Sequence, residues 1–431
     1  MNSLAGWLEF IERLHPKGQA GIALGLGRVA RVREVLGARA AGAVVVTVGG
    51  TNGKGSACAY LEAIYRAAGV RVGCYASPHL VDWGERVRVD GRPADAAALC
   101  AAFARVEAAR RAAGDVALTY FEFATLAAWE TFAAAGARVV VLEVGLGGRL
   151  DAVNVYDADA AVVTGVDLDH TDWLGPDRES IGFEKAGIFR AGRPAICADP
   201  APPDSLVAHA GAIGADLRLI GRDFGFETSS GAWTFWERGG ARREGLPWPA
   251  MPGRFQLGNA SAALAAVGAL AGHLPVAAEA VRAGLREARL AGRFEIVRER
   301  PAVVLDVAHN PQAAAGLAEN LDTMGAYRRT IAVAGMLADK DIEGVLRALA
   351  GRVDLWLLAG LDGPRGAPAE RLSAALAEGE RRELFASPGE AFRRAVGLAE
   401  EGDRIIVFGS FHTVAAVLRE IGRAREERPE P

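Results

Sequence analysis

Short apolar runs of strand length recur along the chain, and each ends at a polar or glycine position before a stretch with helical spacing. In the first part of the chain the runs lie at 43–48, 70–77, 138–145, 159–167 and 193–197, with helical patterns at 58–69 and 121–136. Alternating strands and helices are typical of βαβ units, and almost continuously apolar strands are typical of a parallel sheet covered on both faces. The pattern predicts an α/β fold whose N-terminal part is a mostly parallel sheet flanked by helices.

The same pattern restarts near residue 300 and predicts a second, smaller domain. Its apolar runs lie at 301–310, 329–337, 354–361 and 404–412. We expect a Rossmann-like α/β domain at 289–431, after a larger domain at 1–288. Residues 222–248 carry three tryptophans among alternating polar positions, which predicts a small antiparallel excursion. The C-terminal stretch REERPEP is expected to fray.

Composition limits the class of protein. The 431 residues are 51% hydrophobic and 24% charged with a net charge of −4, which does not favour a nucleic-acid partner. The four cysteines form no CxxC pair, so we expect a reducing, cytoplasmic setting without disulfides or structural zinc. Acidic Glu9 and Glu12 argue against a signal peptide. The uncharged stretch 255–278 is rich in alanine and breaks at Pro275, so we interpret it as a buried helix rather than a membrane span.

The stretch VTVGGTNGKGS at 46–56 combines glycines, a lysine and a hydroxyl directly after the first strong strand. Glycine-rich backbone at a helix start presents N–H groups to an anion, and ligands of open α/β sheets lie at the carboxyl ends of strands. The Walker spacing is not met, because Gly55 follows Lys54 and the hydroxyl of Ser56 comes one position late. An ordinary glycine-rich turn is the alternative. Only four of the 49 basic residues are lysines, at Lys17, Lys54, Lys185 and Lys340, so a lysine within the glycine stretch is notable. We therefore favour a nucleotide-phosphate loop.

Acidic and histidine residues follow two further strands. Glu143 ends an apolar strand, where a carboxylate could hold magnesium together with Ser56; a structural ion pair is the alternative. His170 stands among aspartates in DHTDWLG and could be a metal ligand, a base or a hydrogen-bonded loop histidine. The residues alone do not decide among these roles.

Lys185 lies in the helical stretch ESIGFEKAGIFR between Phe183 and Ile188. A lysine in apolar surroundings tends toward the neutral amine, which can add carbon dioxide and become an anionic carbamate. An ordinary helix lysine paired with Glu179 or Glu184 is the alternative, and it is favoured on this stretch alone.

Eight motifs occur in one order along the chain. They are GTNGKGS at 50–56, SPHL at 77–80, ERVRVDG at 85–91, LEVGLGGRLDAVN at 142–154, DHTDWLG at 169–175, EKAGIF at 184–189, DVAHNP at 306–311 and GSFHT at 409–413. In these motifs the chain resembles the bacterial dihydrofolate synthase/folylpolyglutamate synthase family of the Mur ligase superfamily, over about residues 5–420. The family loop, G-x-x-G-K-[TG]-[TS], is satisfied here, so the late hydroxyl of Ser56 belongs to the family pattern.

The resemblance implies an ATP-dependent ligase. ATP would phosphorylate a carboxylate of dihydropteroate or of a reduced folate, and the amine of L-glutamate would displace the phosphate. Two magnesium ions are implied, one held by Ser56 and Glu143 and the other by His170 and a carbamylated Lys185. The implied protein is a monomer with no nucleic-acid or membrane partner, and its ATP would lie between the domains.

The resemblance also implies the binding residues. Nucleotide contacts are expected from Gly50, Thr51, Asn52, Gly53, Lys54, Gly55, Ser56, Asn259, Arg293 and Asp306. Substrate contacts are expected from Ser77, Pro78, His79, Arg86, Phe121, Asp151 and Ala152 for the pteroate, and from His309 and Ser410 for glutamate. Phe183 departs from the small residue or arginine expected there, and it should make the surroundings of Lys185 more apolar.

Other classes of protein remain as alternatives. A Mur-type ligase acting on a UDP-muramyl peptide, or on another carboxylate, shares the chemistry, but the former would need a uridine-binding domain for which 1–45 leaves no room. A P-loop kinase or ATPase would not need the second domain with DVAHNP. A nucleotide-binding module without activity would not need Glu143, His170 and Lys185 together. A folylpolyglutamate synthase without the dihydrofolate synthase activity also remains open.

Overall fold

The structure is a computed structural model that describes residues 3–15, 21–37, 42–229, 231–240 and 242–426, with side chains described up to residue 423. Over these residues the chain divides into two compact units. The first runs up to His79 and continues over Trp83–Ala250 and Gln256–Arg289. The second contains Leu80–Asp82, Met251–Phe255 and the chain from Leu290 onward. The predicted domain boundary at 288–289 remains a prediction. The main part of the second unit begins at Leu290, but the unit also includes the two short segments that precede it in the chain.

The elements before residue 290 alternate as the apolar pattern predicts. The helices are α1 (Leu4–Leu14), α2 (Gly27–Leu36), α3 (Lys54–Ala67), α4 (Ala96–Ala112), α5 (Tyr120–Ala134), α6 (Thr171–Leu174), α7 (Arg178–Ala186), α8 (Asp204–Ile213), α9 (Arg254–Ala269) and α10 (Ala278–Glu287). The strands are β1 (Val44–Gly49), β2 (Val72–Tyr75), β3 (Val87–Val89), β4 (Arg92–Pro93), β5 (Val139–Glu143), β6 (Ala160–Val163), β7 (Pro194–Cys197), β8 (Asp216–Leu219), β9 (Phe224–Ser229), β10 (Ala232–Glu237) and β11 (Arg242–Leu246). Short 3-10 helices span Trp83–Arg86 and Ala152–Val155.

Across the described ranges, eight strands of the first unit form one sheet in the order β4-β3-β2-β5-β1-β6-β7-β8. The pairs from β2 to β8 are parallel, whereas β3 and β4 are antiparallel at one edge. Strands β1, β2, β5 and β6 are buried almost throughout, as expected for a sheet covered on both faces. The order places β1, which precedes the glycine loop, in the middle of the sheet.

The excursion at 222–248 is antiparallel, with β10 paired to both β9 and β11. This confirms the prediction from the alternating tryptophans. The stretch 255–278 contains the buried helix α9, which confirms the interpretation as a core helix. Within the described part of the chain, no helix is both long and apolar enough to cross a membrane.

The second unit is a smaller α/β structure. Its strands are β12 (Glu295–Glu299), β13 (Ala302–Leu305), β14 (Thr330–Ala334), β15 (Leu355–Ala359), β16 (Arg382–Phe385) and β17 (Arg404–Phe408), and its helices are α11 (Pro311–Thr323), α12 (Ile342–Ala348), α13 (Ala369–Ala374), α14 (Pro388–Leu398) and α15 (Phe411–Glu426). Over the residues described, the sheet order is β12-β13-β17-β14-β15-β16, with only β12 antiparallel. The predicted α/β fold class is confirmed.

Some elements were not predicted, and some predictions fall outside the description. The pattern did not predict edge strands β4, β8, β12 and β16, nor strand β3 or helix α4. Edge strands are short and partly polar, so their apolar signal is weak. Lys17 and most of the C-terminal stretch REERPEP lie outside the described residues.

Candidate active site

Four neighbouring parallel strands, β2, β5, β1 and β6, end at the same edge of the first unit's sheet. Glu143 is the last residue of β5, and the SPHL segment, the glycine loop and the DHTDWLG segment follow β2, β1 and β6. Residues separated by more than a hundred positions therefore meet at one edge, where ligands of open α/β sheets bind.

Two glycines of the phosphate loop, Gly50 and Gly53, lie where no side chain fits. Both have positive φ, 139° and 86°. A Cβ atom on Gly50 would come within 2.0 Å of Thr164 Oγ1, and one on Gly53 within 2.3 Å of Asn259 Oδ1. The loop therefore needs glycine both for its backbone conformation and for the close approach of neighbouring side chains.

The loop is anchored to the segment that follows β6. Thr164 Oγ1 donates a 2.6 Å hydrogen bond to the carbonyl of Asn52, and Thr51 N donates a 2.7 Å bond to the carbonyl of Gly165. The Thr51 hydroxyl accepts from Asp167 N at 3.0 Å. Thr164 was not selected from the sequence, because a threonine at a strand end shows nothing of its partner 112 residues away.

Lys54 begins helix α3 and folds back over the loop. Its Nζ donates to the carbonyls of Gly50 and Thr51 at 3.0 and 3.1 Å. The ammonium group therefore lies at the centre of the glycine loop, as expected for a lysine that acts on phosphate as a compact charge.

Ser56 and Glu143 are both buried at this edge. Glu143 Oε2 accepts a 3.0 Å hydrogen bond from Ser77 N, the amide that follows β2. Ser56 Oγ accepts a 3.2 Å bond from Gln256 Nε2 on helix α9. A hydroxyl and a carboxylate are hard oxygen donors, which suit magnesium.

His170 stands in a left-handed conformation, with φ of 53°, at the start of helix α6. Its backbone N donates to Asp169 Oδ1 at 2.8 Å, and its Nε2 lies 3.9 Å from Asp169 Oδ2. The preceding segment is held by Asp199, which accepts from Val166 N at 2.7 Å and pairs with Arg178 at 2.9 Å. The histidine therefore projects from a loop held by both the phosphate loop and the end of β7.

Lys185 on helix α7 is only 3% exposed. Burial, and secondarily the charge of Lys54, lower its pKa to about 7, while Asp169 opposes this shift. The neighbouring acids serve other partners: Glu184 pairs with Arg149 at 2.7 Å, and Glu179 accepts from Ser205 N at 2.8 Å. The interpretation of Lys185 as an ordinary paired helix lysine was therefore wrong.

The expected effect of Phe183 on Lys185 was also wrong. Phe183 is 43% exposed, and it packs edge-on against His209 and beneath the guanidinium of Arg149. Residues two positions apart on a helix point to different faces, so Phe183 does not surround the Lys185 amine.

The segments expected to bind pteroate lie beside Glu143. Ser77 and Pro78, joined by a cis peptide bond, follow β2. Arg86 Nε donates a 2.7 Å hydrogen bond to His79 Nδ1, so that ring nitrogen carries no proton. The ring of Phe121 packs against the ring of Tyr75, with 5.7 Å between the two ring centroids.

Asp151 is held by three hydrogen bonds from the backbone. Its carboxylate accepts from the backbone N–H groups of Gly145, Leu146 and Val153 at 3.1, 2.9 and 3.0 Å. Burial nevertheless raises its pKa to about 6, against the effect of these donors. Asp151 thereby orders the turn after Glu143 and begins the short helix that contains Ala152.

The remaining candidates lie in the second unit. Asp306 accepts from Phe294 N and Ala308 N at 2.9 and 2.7 Å, and burial raises its pKa. The ring of Phe411 lies 5.1 Å from the Arg293 guanidinium carbon and 6.2 Å from the His309 ring. Arg293, His309 and Phe411 therefore form one cluster.

His309 and Ser410 each have a hydrogen bond within the unit. His309 Nδ1 donates to the carbonyl of Val307 at 2.8 Å, and this hydrogen bond fixes the proton of the neutral ring on Nδ1. The buried Ser410 Oγ accepts from Thr413 N at 3.0 Å and so caps the start of helix α15.

No group of three or more histidine, cysteine, aspartate or glutamate side chains in the described ranges is arranged to hold a metal ion. The expected ligand sets differ in kind, since they combine a serine with one carboxylate and a histidine with a modified lysine. Neither set contains three histidine, cysteine, aspartate or glutamate side chains, so the lack of such a group does not bear on them.

A phosphate loop on a parallel sheet, followed in the chain by a second α/β unit, is the architecture expected of Mur-type ligases. Residues 292–411 match the family described as Mur ligase, glutamate ligase domain. The fold and the site thus define the class of protein: an ATP-dependent ligase that forms amide bonds.

Relatives along the whole chain narrow this class. The dihydrofolate synthase/folylpolyglutamate synthase of Escherichia coli strain K12 is 48% identical over 98% of this chain and 96% of its own length. The Haemophilus influenzae protein of the same name is 39% identical, covering 96% of each chain. The chain therefore belongs to the dihydrofolate synthase/folylpolyglutamate synthase family, which confirms the resemblance drawn from the motifs.

Solved structures agree with this assignment. E. coli FolC in complex with DHPP and ADP superposes with a TM-score of 0.92 and 48% identity over 98% of each chain. A bifunctional folylpolyglutamate synthase/dihydrofolate synthase with Mn, AMPPNP and L-glutamate bound has a TM-score of 0.89 at 46% identity, covering 97% of this chain and 98% of its own.

Proposed function

We propose that this chain adds L-glutamate to dihydropteroate, forming dihydrofolate, and to reduced folates, forming polyglutamates, with ATP as the energy source. The observation that carries the proposal is the meeting of the phosphate loop, Glu143, His170 and the SPHL segment at one sheet edge. The names of the relatives, and the DHPP, ADP, AMPPNP, Mn and L-glutamate in the related structures, support it.

The chemistry proceeds in two steps. An oxygen of the folate carboxylate attacks the γ-phosphorus of ATP, and ADP leaves with the electron pair of the broken P–O bond. The glutamate amine then attacks the acyl carbon, loses a proton, and inorganic phosphate leaves as the amide forms. Lys54 and the glycine-loop N–H groups hold the phosphates and offset the charge that develops during transfer.

Two magnesium ions, when bound, would neutralise the repulsion between the substrate carboxylate and the triphosphate. Ser56 and Glu143 fit the first ion, because both place buried oxygen donors beside the loop. His170 and Lys185 would hold the second, provided that Lys185 carries a carbamate. Lys185 as an ammonium could not be a ligand.

The setting of Lys185 suits carbamylation. The neutral Nζ attacks the carbon of CO2, a new N–C bond forms, one N–H proton leaves, and the negative charge resides on the carbamate oxygens. This step needs the neutral amine, which the lowered pKa of about 7 supplies near neutral pH. The nearby ammonium of Lys54, which also lowers this pKa, would favour the resulting anion.

We propose that the pteroate binds in the first unit, next to SPHL, Arg86, Phe121, Asp151 and Ala152. Aromatic side chains beside a few polar groups suit a flat heterocycle. The Arg86–His79 hydrogen bond and the Phe121–Tyr75 packing hold two of these side chains in place. Arg86→Ala should raise the KM for dihydropteroate several-fold and leave the KM for ATP almost unchanged. Equal rises in both KM values would contradict this placement.

Other proposed contacts concern the nucleotide and glutamate. Asn259 reaches the phosphate loop at Gly53. Within the second unit we assign Arg293 and Asp306 to the nucleotide, and His309 and Ser410 to glutamate. His309→Ala should raise the KM for glutamate more than that for ATP. A change confined to the ATP requirement would reverse the assignment.

A product assay tests the overall function. The purified chain is incubated with ATP and L-glutamate, together with either dihydropteroate or a reduced folate monoglutamate, and the products are identified by mass spectrometry. Addition of one glutamyl residue is expected in both reactions, with ADP formed only when all substrates are present. Product from the reduced folate alone would indicate the folylpolyglutamate synthase activity by itself. ATP hydrolysis without either acceptor would indicate an ATPase.

A monomer in the cytoplasm, without nucleic-acid or membrane partners, remains part of the proposal. The cysteine pattern and the net charge of −4 support the cytoplasmic setting and argue against a nucleic-acid partner. Light scattering coupled to gel filtration would test the oligomeric state. A stable dimer would contradict it.

A further inference from the structure

Asn154 is a buried residue at the end of the GGRLDAVN stretch, residues 147–154, and its amide connects this segment to helix α7. Its Nδ2 donates to the carbonyls of Arg149 and Gly187, both at 3.0 Å. Its Oδ1 accepts from Arg190 Nη2 at 2.9 Å. One side chain thus joins the 147–154 segment to the end of helix α7, two residues beyond Lys185.

The guanidinium of Arg190 fixes which way this amide faces. A guanidinium only donates, so it faces the oxygen of Asn154, and the nitrogen of Asn154 then faces the two carbonyls. Arg190 also donates to Asp157 Oδ1 at 2.7 Å and to the carbonyl of Phe189 at 3.1 Å. A reversed amide would set donors against Arg190 and an oxygen against two carbonyls. Only one orientation therefore satisfies all these groups.

The end of helix α7 is held from the 147–154 segment at two carbonyls. Carbonyls in the last turn of a helix lack partners within the helix. Arg149 N donates to the carbonyl of Glu184 at 2.8 Å, and Asn154 Nδ2 donates to that of Gly187. Glu184 and Gly187 lie on either side of Lys185 in the chain, so the same segment fixes the backbone before and after this lysine.

The 147–154 segment and the end of α7 also pack backbone against backbone. A Cβ atom on Gly148 would lie 2.9 Å from the carbonyl oxygen of Glu184 and 3.0 Å from that of Lys185. A Cβ atom on Gly187 would lie 2.3 Å from Arg149 Cβ. Because no side chain separates the two backbones, a shift of this segment would displace the backbone of Lys185 directly.

The 147–154 segment is in turn attached to the end of strand β5. Asp151 accepts from the backbone N–H groups of Gly145 and Leu146, which closely follow Glu143. A series of short hydrogen-bonded contacts therefore runs from the chain after Glu143, through Asn154, to the end of α7. These contacts give the Lys185 backbone a defined position relative to Glu143.

We propose that Asn154 is a positioning residue for Lys185: it holds the end of helix α7 on the 147–154 segment and so keeps the lysine amine where its carbamate forms. The inference rests on the proposed function, since it takes Lys185 as the carbamylated residue.

The test measures the carbamate on the whole chain by ¹³C NMR with ¹³C-bicarbonate at pH 8. Asn154→Leu keeps a similar volume and removes both donors and the acceptor. We expect the carbamate signal to fall at least about threefold, because the end of α7 loses the hydrogen bonds that hold it. An unchanged signal in a folded Asn154→Leu protein would overturn the proposal.

Steady-state kinetics on the same variant give a second measurement. Asn154→Leu should lower kcat about 10- to 100-fold, the range typical for loss of a group behind a metal ligand. The KM for ATP should stay within about twofold, because the hydrogen bonds of Asn154 do not involve the phosphate loop. A rise in the KM for ATP with kcat unchanged would contradict a role in positioning Lys185.

Leu99→Ala is the control for a general loss of stability. Leu99 is buried on helix α4 of the same unit, and its truncation leaves a cavity there. The carbamate signal should stay within about twofold of that of the unchanged protein, because Leu99 has no part in holding α7. An equal fall in both variants, measured below their unfolding temperatures, would overturn the proposal.

A double-mutant cycle with Lys185→Ala shows whether Asn154 acts through the lysine. On the residual rate of Lys185→Ala, Asn154→Leu should cause a further loss of less than about threefold. An undiminished loss in that background would overturn the inference, because Asn154 would then act on another part of the site.

The carbamate signal of the unchanged protein separates this inference from the proposed function. If that protein shows no carbamate, the assignment of Lys185 in the proposed function fails, and the inference fails with it. If the signal is present and Asn154→Leu leaves it intact, the inference alone fails.

Should the leucine variant fail to fold, Asn154→Ser carries the same test. The single proton of a hydroxyl can serve only one of the two carbonyls. A fall in the carbamate signal of at least about twofold is expected. An unchanged signal in a folded Asn154→Ser protein would overturn the proposal.

Discussion

The phosphate loop and helix α7 each carry a lysine, and the two lysines differ in burial and in hydrogen-bond partners. Lys54 lies over the glycine loop, where its Nζ donates to the carbonyls of Gly50 and Thr51. Lys185 is buried in helix α7, and its pKa is lowered to about 7. The surroundings of Lys54 offer hydrogen-bond acceptors to its amino group, whereas burial favours the neutral amine of Lys185.

The comparison shows how one residue type can supply two kinds of chemistry in one site. Backbone oxygens stabilise the ammonium of Lys54, which suits phosphate. Desolvation disfavours the ammonium of Lys185, which suits reaction with carbon dioxide. Experiments that change each lysine separately can confirm or reject this difference.

The largest effect is expected for Lys185. Lys185→Ala should lower kcat by about 1,000-fold or more, equivalent to about 4 kcal/mol, because a metal ligand is lost. Its thermal unfolding should stay near that of the unchanged protein, and short carboxylates should restore part of the rate. Lys185→Arg should be equally inactive, because a guanidinium cannot form the carbamate. High activity in the arginine variant would show that a positive charge is sufficient.

The next effect is expected for Lys54. Lys54→Ala should slow turnover at least about tenfold at saturating ATP, equivalent to about 1.4 kcal/mol, because charge on the phosphates is no longer offset. Lys54→Arg, which keeps the charge but not the compact shape, should retain more activity. Steady-state kinetics at saturating folate and glutamate make this measurement. An unchanged rate in Lys54→Ala would contradict the proposal that Lys54 acts on the phosphates of ATP.

The pH dependence should differ between the regions. The pKa of Lys185, about 7, lies below its ordinary value, so the reactive neutral amine is lost as pH falls through 7. The carbamate signal from ¹³C-bicarbonate, followed by NMR, should therefore drop several-fold between pH 8 and pH 6. Lys185→Ala should lack the signal at every pH, whereas Lys54→Ala should keep a signal that rises at higher pH, because the charge that lowers the pKa of Lys185 is lost. A signal that is constant with pH would argue against the amine as its origin.

The smallest effect is expected where the phosphate loop is anchored. Thr164→Val removes the hydrogen bond to Asn52 and should lower the free energy of unfolding by about 1 kcal/mol. The KM for ATP should rise a few-fold, while the carbamate on Lys185 is unaffected. Thr164→Ser, which keeps the hydroxyl, is the control. Identical ATP kinetics in the valine and serine variants would show that this anchor does not shape the loop.

Much of the fold could be predicted because its strands have a strong apolar signal. The runs before the glycine loop and at Glu143 became adjacent strands β1 and β5. The motifs located the candidate residues in the chain, since glycine, lysine and acidic residues at strand ends indicate phosphate chemistry. Short edge strands such as β4 carry little apolar signal and were not predicted.

The sequence by itself determined the α/β class, the family and the identity of most candidate site residues, since local spacing and motif order contain this information. Only the tertiary structure decided which side chains are buried and what they contact. It turned Phe183 away from Lys185, paired Glu184 with Arg149, and placed Gln256 behind Ser56. These outcomes depend on packing between segments up to 200 residues apart, so no local pattern could show them.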